Sequence, residues 1–335
     1  MNPHYVASAN EFPISIKTSL GFSKLQFSPD LARRMISVCS WDGFMKIFDL
    51  TNPSTPVEVR TVFHKKSVLA CTFATANYVV SGGLDQVVKL VDIETGRETI
   101  MGQHNGPVRC LEFSPTMRTA VSGGWDNSMK LWDIRSLMPV GSAELGEKCY
   151  ALDVVDNRAV VGTKDQKVLV WDIRQMKAPM QTRESPLKYQ IRCIKCFPSG
   201  EAFVVSSIEG RVAVEYFDQN PDIQKSKYAF KCHRIKEETG ELVYPVNAVA
   251  FHPLHRTFAT GGSDQMVSIW DPFNRKRLCQ FRKFPSSISS LSFSPDGSML
   301  GIASTFMYET ETIPQPIPEA SITVRKLQDL EVQPK

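Results

Sequence analysis

Ser122-Gly123-Gly124-Trp125-Asp126, followed at once by the run Met129-Lys130-Leu131-Trp132-Asp133, is the stretch that decides the fold. Apolar and polar residues alternate at period two on either side of a Gly-Gly turn that ends in an acid. That pattern reads as two short antiparallel strands joined by a tight turn. The same figure recurs in both directions. Ser40-Trp41-Asp42 leads to Ile47-Phe48-Asp49, and Gly82-Gly83-Leu84-Asp85 leads to Leu90-Val91-Asp92. Toward the C-terminus, Gly162-Thr163-Lys164-Asp165 precedes Val170-Trp171-Asp172, Ser207-Ile208-Glu209 precedes Val214-Glu215-Tyr216, and Gly262-Ser263-Asp264 precedes Ile269-Trp270-Asp271. The turn acids are spaced by 43, 41, 39, 44 and 55 residues.

A period near ~40–45 residues with four short strands per unit is the signature of WD-repeat propeller blades. Val108-Arg109-Cys110-Leu111-Glu112-Phe113 alternates like the other runs, and no long amphipathic helix interrupts them. A seventh unit starts at Ser289-Ser290-Leu291-Ser292-Phe293, with a degenerate turn at 304–309 and a strand over Ser321-Ile322-Thr323-Val324-Arg325, but it lacks a fourth strand. An orphan strand, Glu11-Phe12-Pro13-Ile14-Ser15-Ile16, stands at the other end. An open array would leave strand edges unpaired. The expectation is therefore an all-β, seven-bladed WD40 β-propeller closed by pairing of the N-terminal strand 11–16 with the last blade. It forms a single domain over 1–335, with units at about 17–60, 61–102, 103–145, 146–185, 186–242, 243–284 and 285–330. Residues 219–240 lengthen unit five and hold an outer strand over 226–231. Residues 309–319, with three prolines and no basic residue, read as a mobile loop.

Hydrophobic residues make up 42% and charged residues 22%, a globular composition that excludes disorder for most of the chain. No run approaches the ~18 apolar residues of a membrane span. Met1-Asn2-Pro3-His4-Tyr5 has no basic start or apolar stretch of a secretory leader. Eight singly spread cysteines point to a reduced, intracellular protein. A net charge of +4 argues against direct nucleic-acid binding by bulk electrostatics. All of that excess lies between Arg183 and Lys236, with ten Lys or Arg against six Asp or Glu.

His104, Ser122 and Asp126 are the residue types of a hydrolase triad. Their placement, with Trp132 on the next strand, instead reads as a structural hydrogen-bond chain that satisfies a buried carboxylate. No nucleophile elbow or oxyanion pattern accompanies it. Cys193 and Cys196 form a lone Cys-x-x-Cys whose positions face opposite sides of a strand, so they cannot share a metal and read as core. No metal, cofactor or enzymatic activity is expected. Trp132-Asp133-Ile134-Arg135 and Trp171-Asp172-Ile173-Arg174 match a pattern of cullin ubiquitin-ligase substrate receptors, but they are also ordinary strand ends.

Two surface groupings point to a ligand. Trp41 and Trp125 sit just before turn acids, on the propeller face that carries the inter-blade loops, where aromatic side chains suit a partner's anchor. Arg192 begins a first strand of unit five, Arg211 begins its third, and Lys231 lies near the end of its fourth, so all three are expected on one rim. The ligand class is extended and acidic or phosphorylated.

The most specific stretches are Glu184-Ser185-Pro186-Leu187-Lys188-Tyr189-Gln190-Ile191-Arg192, Ser206-Ser207-Ile208-Glu209-Gly210-Arg211-Val212, Tyr228-Ala229-Phe230-Lys231-Cys232-His233-Arg234 and Trp270-Asp271-Pro272-Phe273-Asn274. These resemble the mitotic checkpoint WD-repeat family of the Bub-three type; a sister family is the WD-repeat messenger-RNA export factor. The resemblance implies a non-enzymatic spindle-assembly-checkpoint adaptor in the nucleus and at mitotic kinetochores, with the cytoplasm a further location. It implies binding to the GLEBS motif of a Bub-type checkpoint kinase and its pseudokinase relative through Trp41, Trp125 and Arg192. It also implies binding to phosphothreonine in MELT repeats of a kinetochore scaffold through Arg211 and Lys231. The alternatives are an export propeller docked on a nucleoporin and a ubiquitin-ligase receptor.

Overall fold

Every turn that ends in an acid joins the second and third strands of a four-stranded antiparallel sheet, and seven such sheets form in the computed structural model. It describes residues 8–238, 240–310 and 313–334; the opening Met1 to Tyr5 and residues 311–312 of the Pro-rich loop fall outside them. The seven first strands lie side by side around a central channel. Phe22–Phe27 of blade one touches both Val68–Phe73 of blade two and Ile288–Phe293 of blade seven, so the ring is closed.

Alternation along each strand sends one set of side chains to each neighbouring blade. Between blades three and four, Val121, Met129 and Leu131 pack against Cys149, Leu152 and Trp171. The Gly-Gly turns are required by this approach: a Cβ on Gly123 would lie 2.3 Å from Cys149 Sγ.

The N-terminal strand is Glu11–Ile14, pairing antiparallel with Ser321–Lys326 as the fourth strand of blade seven. It stops two residues short of the expected 11–16. Ile16 leaves the ladder to pack on the apolar core between blades seven and one, and the Ser19 amide then donates to Asp42 Oδ2 at 2.9 Å. Pro13 is tolerated because this strand is an outer edge.

Unit five departs further from the sequence reading. Its outer strand is Tyr228–Lys231, not 226–231, because Asn220 caps a one-turn helix, Pro221–Gln224, and the turn after it uses 225–227. A separate hairpin follows, Arg234–Glu237 paired with Gly240–Val243, which the periodicity did not reveal. The loop expected to move freely is anchored at its first residue, Glu309.

Candidate functional site

His104, Ser122, Asp126 and Trp132 form one chain of hydrogen bonds. Trp132 Nε1 donates to Ser122 Oγ at 2.8 Å, Ser122 meets His104 Nε2 at 2.6 Å, and His104 Nδ1 meets Asp126 at 3.0 Å. His104 is fully buried. Burial pulls its pKa down, against the pull of Asp126, so the ring is neutral at pH 7. Burial works against ionised Asp126 too, yet Ser128, His104 and the Asn105 amide hold its carboxyl below the usual range. With both ring nitrogens engaged, and the histidine closed off from solvent, the chain braces a turn.

The sequence reading missed two sister chains. His64 bridges Asp85 and Ser81 at 2.9 Å each, and His233 bridges Asp264 and Thr260 at 2.8 Å each, with Trp270 donating to Thr260. The signal was a histidine 21 or 22 residues before the turn acid, stretched to 31 where the extra hairpin intervenes. Blade four lacks the chain: Val161 stands where blade three has Ser122, and the buried Trp171 Nε1 finds no acceptor among the described residues. Cys193 packs toward blade six and Cys196 toward blade four, on opposite sides of one strand.

Trp41 and Trp125 both occupy second-to-third-strand turns and are half-buried. Their amides donate to the inter-blade loops, Trp41 to Gly21 O and Trp125 to Pro107 O, so both lie on the loop-bearing face. The Trp125 indole Nε1 is buried there with no hydrogen-bond partner among the described residues.

The three cations of blade five share that face but divide into two sites. Arg211 and Lys231 stand directly opposite each other across the third and fourth strands. Each has a carboxylate only at 3.9 Å, Glu209 for Arg211 and Glu241 for Lys231, too long for a hydrogen bond. Glu241 is taken by Arg234 at 2.6 Å. Arg192 belongs to the innermost strand, two strand spacings or ~10 Å inward of Arg211. A register shift between Ile191 and Cys193 takes Arg192 out of the ladder and turns it to the mouth of the central channel. There Nε and Nη2 donate to Asn247 Oδ1 at 3.1 and 2.9 Å, and Nη2 pairs with Glu309 Oε1 at 2.6 Å. Ser263 Oγ donates to the other Glu309 oxygen at 2.5 Å and accepts from Asn247 Nδ2 at 2.9 Å. Burial lowers the Arg192 pKa, Glu309 opposes that, and the neighbouring Arg109 charge adds to it. The three cations thus do not meet on a single anion. They offer a paired cationic site at the rim and a carboxylate site at the channel mouth.

Deeper in the channel, Lys195 Nζ lies 2.6 Å from both Glu112 and Asp153, and Lys24 lies 3.2 Å from Glu112, joining blades one, three, four and five. Among the described residues no cluster of His, Cys, Asp and Glu could hold a metal, and no helix is long and apolar enough to cross a membrane.

A closed ring of seven four-stranded blades whose polar chains brace turns defines a WD-repeat propeller. The comparisons agree. The WD domain, G-beta repeat family matches residues 97–133 and 226–271. The structure titled "Structure of U3-55K" superimposes with a TM-score of 0.82 over 96% of this chain and 99% of its own, at 18% identity, a likeness of fold alone. The mitotic checkpoint protein bub-3 of Caenorhabditis elegans is 50% identical over 98% of this chain and 97% of its own. The mRNA export factor GLE2 of Chaetomium thermophilum is 31% identical over 86% and 81%. The chain belongs to the Bub3 family of mitotic checkpoint proteins. The WD-repeat fold and these checkpoint relatives are not those of an enzyme, and the chain is not one.

Proposed function

We propose that the chain serves the spindle assembly checkpoint as an adaptor with two anion-reading sites on one face. Arg192, with Trp41 and Trp125 on the same face, binds the acidic GLEBS motif of a Bub-type checkpoint kinase and of its pseudokinase relative. Arg211 and Lys231 bind phosphothreonine in MELT repeats of a kinetochore scaffold, which brings the kinase to kinetochores in mitosis. The observation that carries this reading is the spacing of the two sites. An extended peptide fits one, and a dianionic phosphate fits the cross-strand pair. Arg211 can grip phosphate in bidentate fashion, whereas Lys231 meets it as a point charge. Glu309 already places a carboxylate on Arg192, which supports a carboxylate ligand there, and an incoming acid replaces it. The higher identity to the checkpoint relative than to the export factor favours this reading over docking on a nucleoporin.

Calorimetry with a GLEBS peptide tests the first site. Arg192→Glu turns attraction into repulsion in a partly desolvated setting, where loss of one partner costs ~2–5 kcal/mol, and binding at micromolar concentration is expected to vanish. Near-normal affinity would remove Arg192 from the site.

A further inference from the structure

The register shift that frees Arg192 is repeated at the start of every first strand, between Phe22 and Lys24, Val68 and Ala70, Val108 and Cys110, Cys149 and Ala151, Val246 and Ala248, and Ile288 and Ser290. Each blade therefore contributes one out-of-register residue, and all seven line the same cavity at the channel mouth. Bulges of this kind re-aim a side chain away from the ladder. Ser23, Leu69, Tyr150, Asn247 and Ser289 hold five of the places, and none of them is a Lys, Arg, Asp or Glu. The remaining two are Arg109 and Arg192, in the matching sequences Val108-Arg109-Cys110 and Ile191-Arg192-Cys193.

The two arginines are treated differently by the rest of the chain. Arg192 has Asn247 and Glu309. Arg109 is half-buried, and among the described residues its side chain makes no hydrogen bond or ion pair. Its charge is felt at Arg192, where it disfavours the protonated form. Two guanidiniums share this concave, partly desolvated mouth, and Glu309 pairs with Arg192, so among the described residues the Arg109 charge has no carboxylate on it. A second carboxylate is the ligand chemistry that compensates it.

We infer that Arg109 is a second ligand-binding residue of this face, taking one carboxylate of the acidic peptide while Arg192 takes another. The inference rests on the peptide-binding reading given above. It makes the channel mouth a reader of two acids on one ligand, bridging blades three and five across Tyr150 of blade four. A peptide offering one carboxylate satisfies Arg192 alone.

The test is a double-mutant cycle on the full chain, with a fluorescent GLEBS peptide and the same peptide carrying single Glu→Gln changes. Arg109→Gln removes no native ion pair, so the fold is expected to survive, checked by an unchanged melting temperature. It is expected to weaken wild-type peptide binding by about tenfold, with a shallower salt dependence. One Glu→Gln peptide should bind the Arg109→Gln and wild-type proteins equally, and a different one should be indifferent to Arg192→Gln. If Arg192→Gln weakens binding but Arg109→Gln stays within twofold of wild type, the Arg109 assignment is overturned while the functional reading stands. If Arg192→Gln itself has no effect, the functional reading fails first. If both variants weaken binding but couple to the same glutamate, the two-acid arrangement is wrong.

Discussion

Glu11 Oε1 lies 2.7 Å from Arg325 Nη1, an ion pair that joins residues 314 positions apart and ties the first strand of the chain to its last. The Glu11 carboxylate is fully buried, and its other oxygen meets Arg282 at 3.0 Å. Phe12 and Ile14 sit opposite Val324 and Ile322, so pairing and charge act together on the closing blade.

Removal of the residues before Ser19 takes away that strand, leaves Arg325 without its buried partner, and opens the ring along blade seven. Breaking a buried pair alone costs ~3–5 kcal/mol. The truncated chain is expected to melt well below the full-length one in a thermal scan. Equal melting temperatures would rule out closure by the termini as a source of stability.

Among the described residues Lys195 is the sole cation on Asp153 and one of two on Glu112, in a channel where each of these groups is largely withdrawn from solvent. Burial would push the Lys195 pKa down, but the two carboxylates hold it well above the ordinary lysine value. Lys195→Met strands Asp153 and leaves Glu112 with Lys24 alone, with an expected loss of ~3–5 kcal/mol in urea unfolding. The triple change Lys195→Met, Glu112→Gln and Asp153→Asn should recover part of that loss. A single change that costs nothing would show that the network does not brace the ring.

Stability should fall on mild acidification. Burial lowers the pKa of His64 and His104, and it pushes His252 down to about 4 with help from the nearby His255. In the unfolded chain these rings titrate near ~6.5. Below that pH the unfolded state binds protons that the folded state refuses. The stabilisation is therefore complete above ~6.5 and declines as pH falls below it, for His252 as far as about 4, by up to ~1.4 kcal/mol per pH unit for each ring. Melting temperatures between pH 7 and pH 5 should drop accordingly, and His252→Gln should flatten the slope. A wild-type protein as stable at pH 5 as at pH 7 contradicts this.

His104→Ala should lower the melting temperature and leave GLEBS-peptide affinity unchanged at temperatures where the variant is folded. A hydrolase activity lost with this change in a folded protein would overturn the structural role.

Period-two alternation and the recurring turn acids made the seven sheets legible, because both arise from local strand geometry repeated once per blade. The closing strand was legible from a missing partner. The hairpin at 234–243 was not, because its two runs are largely exposed and carry no apolar alternation. Arg192, Arg211 and Lys231 could be assigned to one face by strand direction, yet strand direction does not say how far apart they lie. Sheet order then separated them. Glu309 escaped notice because its approach to Arg192 spans 117 residues and depends on a loop path with no periodic signal. Arg109 was in view as an ordinary strand residue, and only the bulge shared by all seven first strands set it apart.

The most direct test of the account uses the complex with a GLEBS peptide and measures its affinity for a MELT-type peptide with and without phosphate on threonine. Phosphothreonine adds ~1.5–2 negative charges at pH 7, enough to engage Arg211 and Lys231 together across their strand pair. The phosphorylated peptide should bind more tightly, the difference should shrink with added salt, and Arg211→Ala with Lys231→Ala should erase it without weakening the GLEBS peptide. Equal binding of the two forms by the wild-type complex would contradict the account.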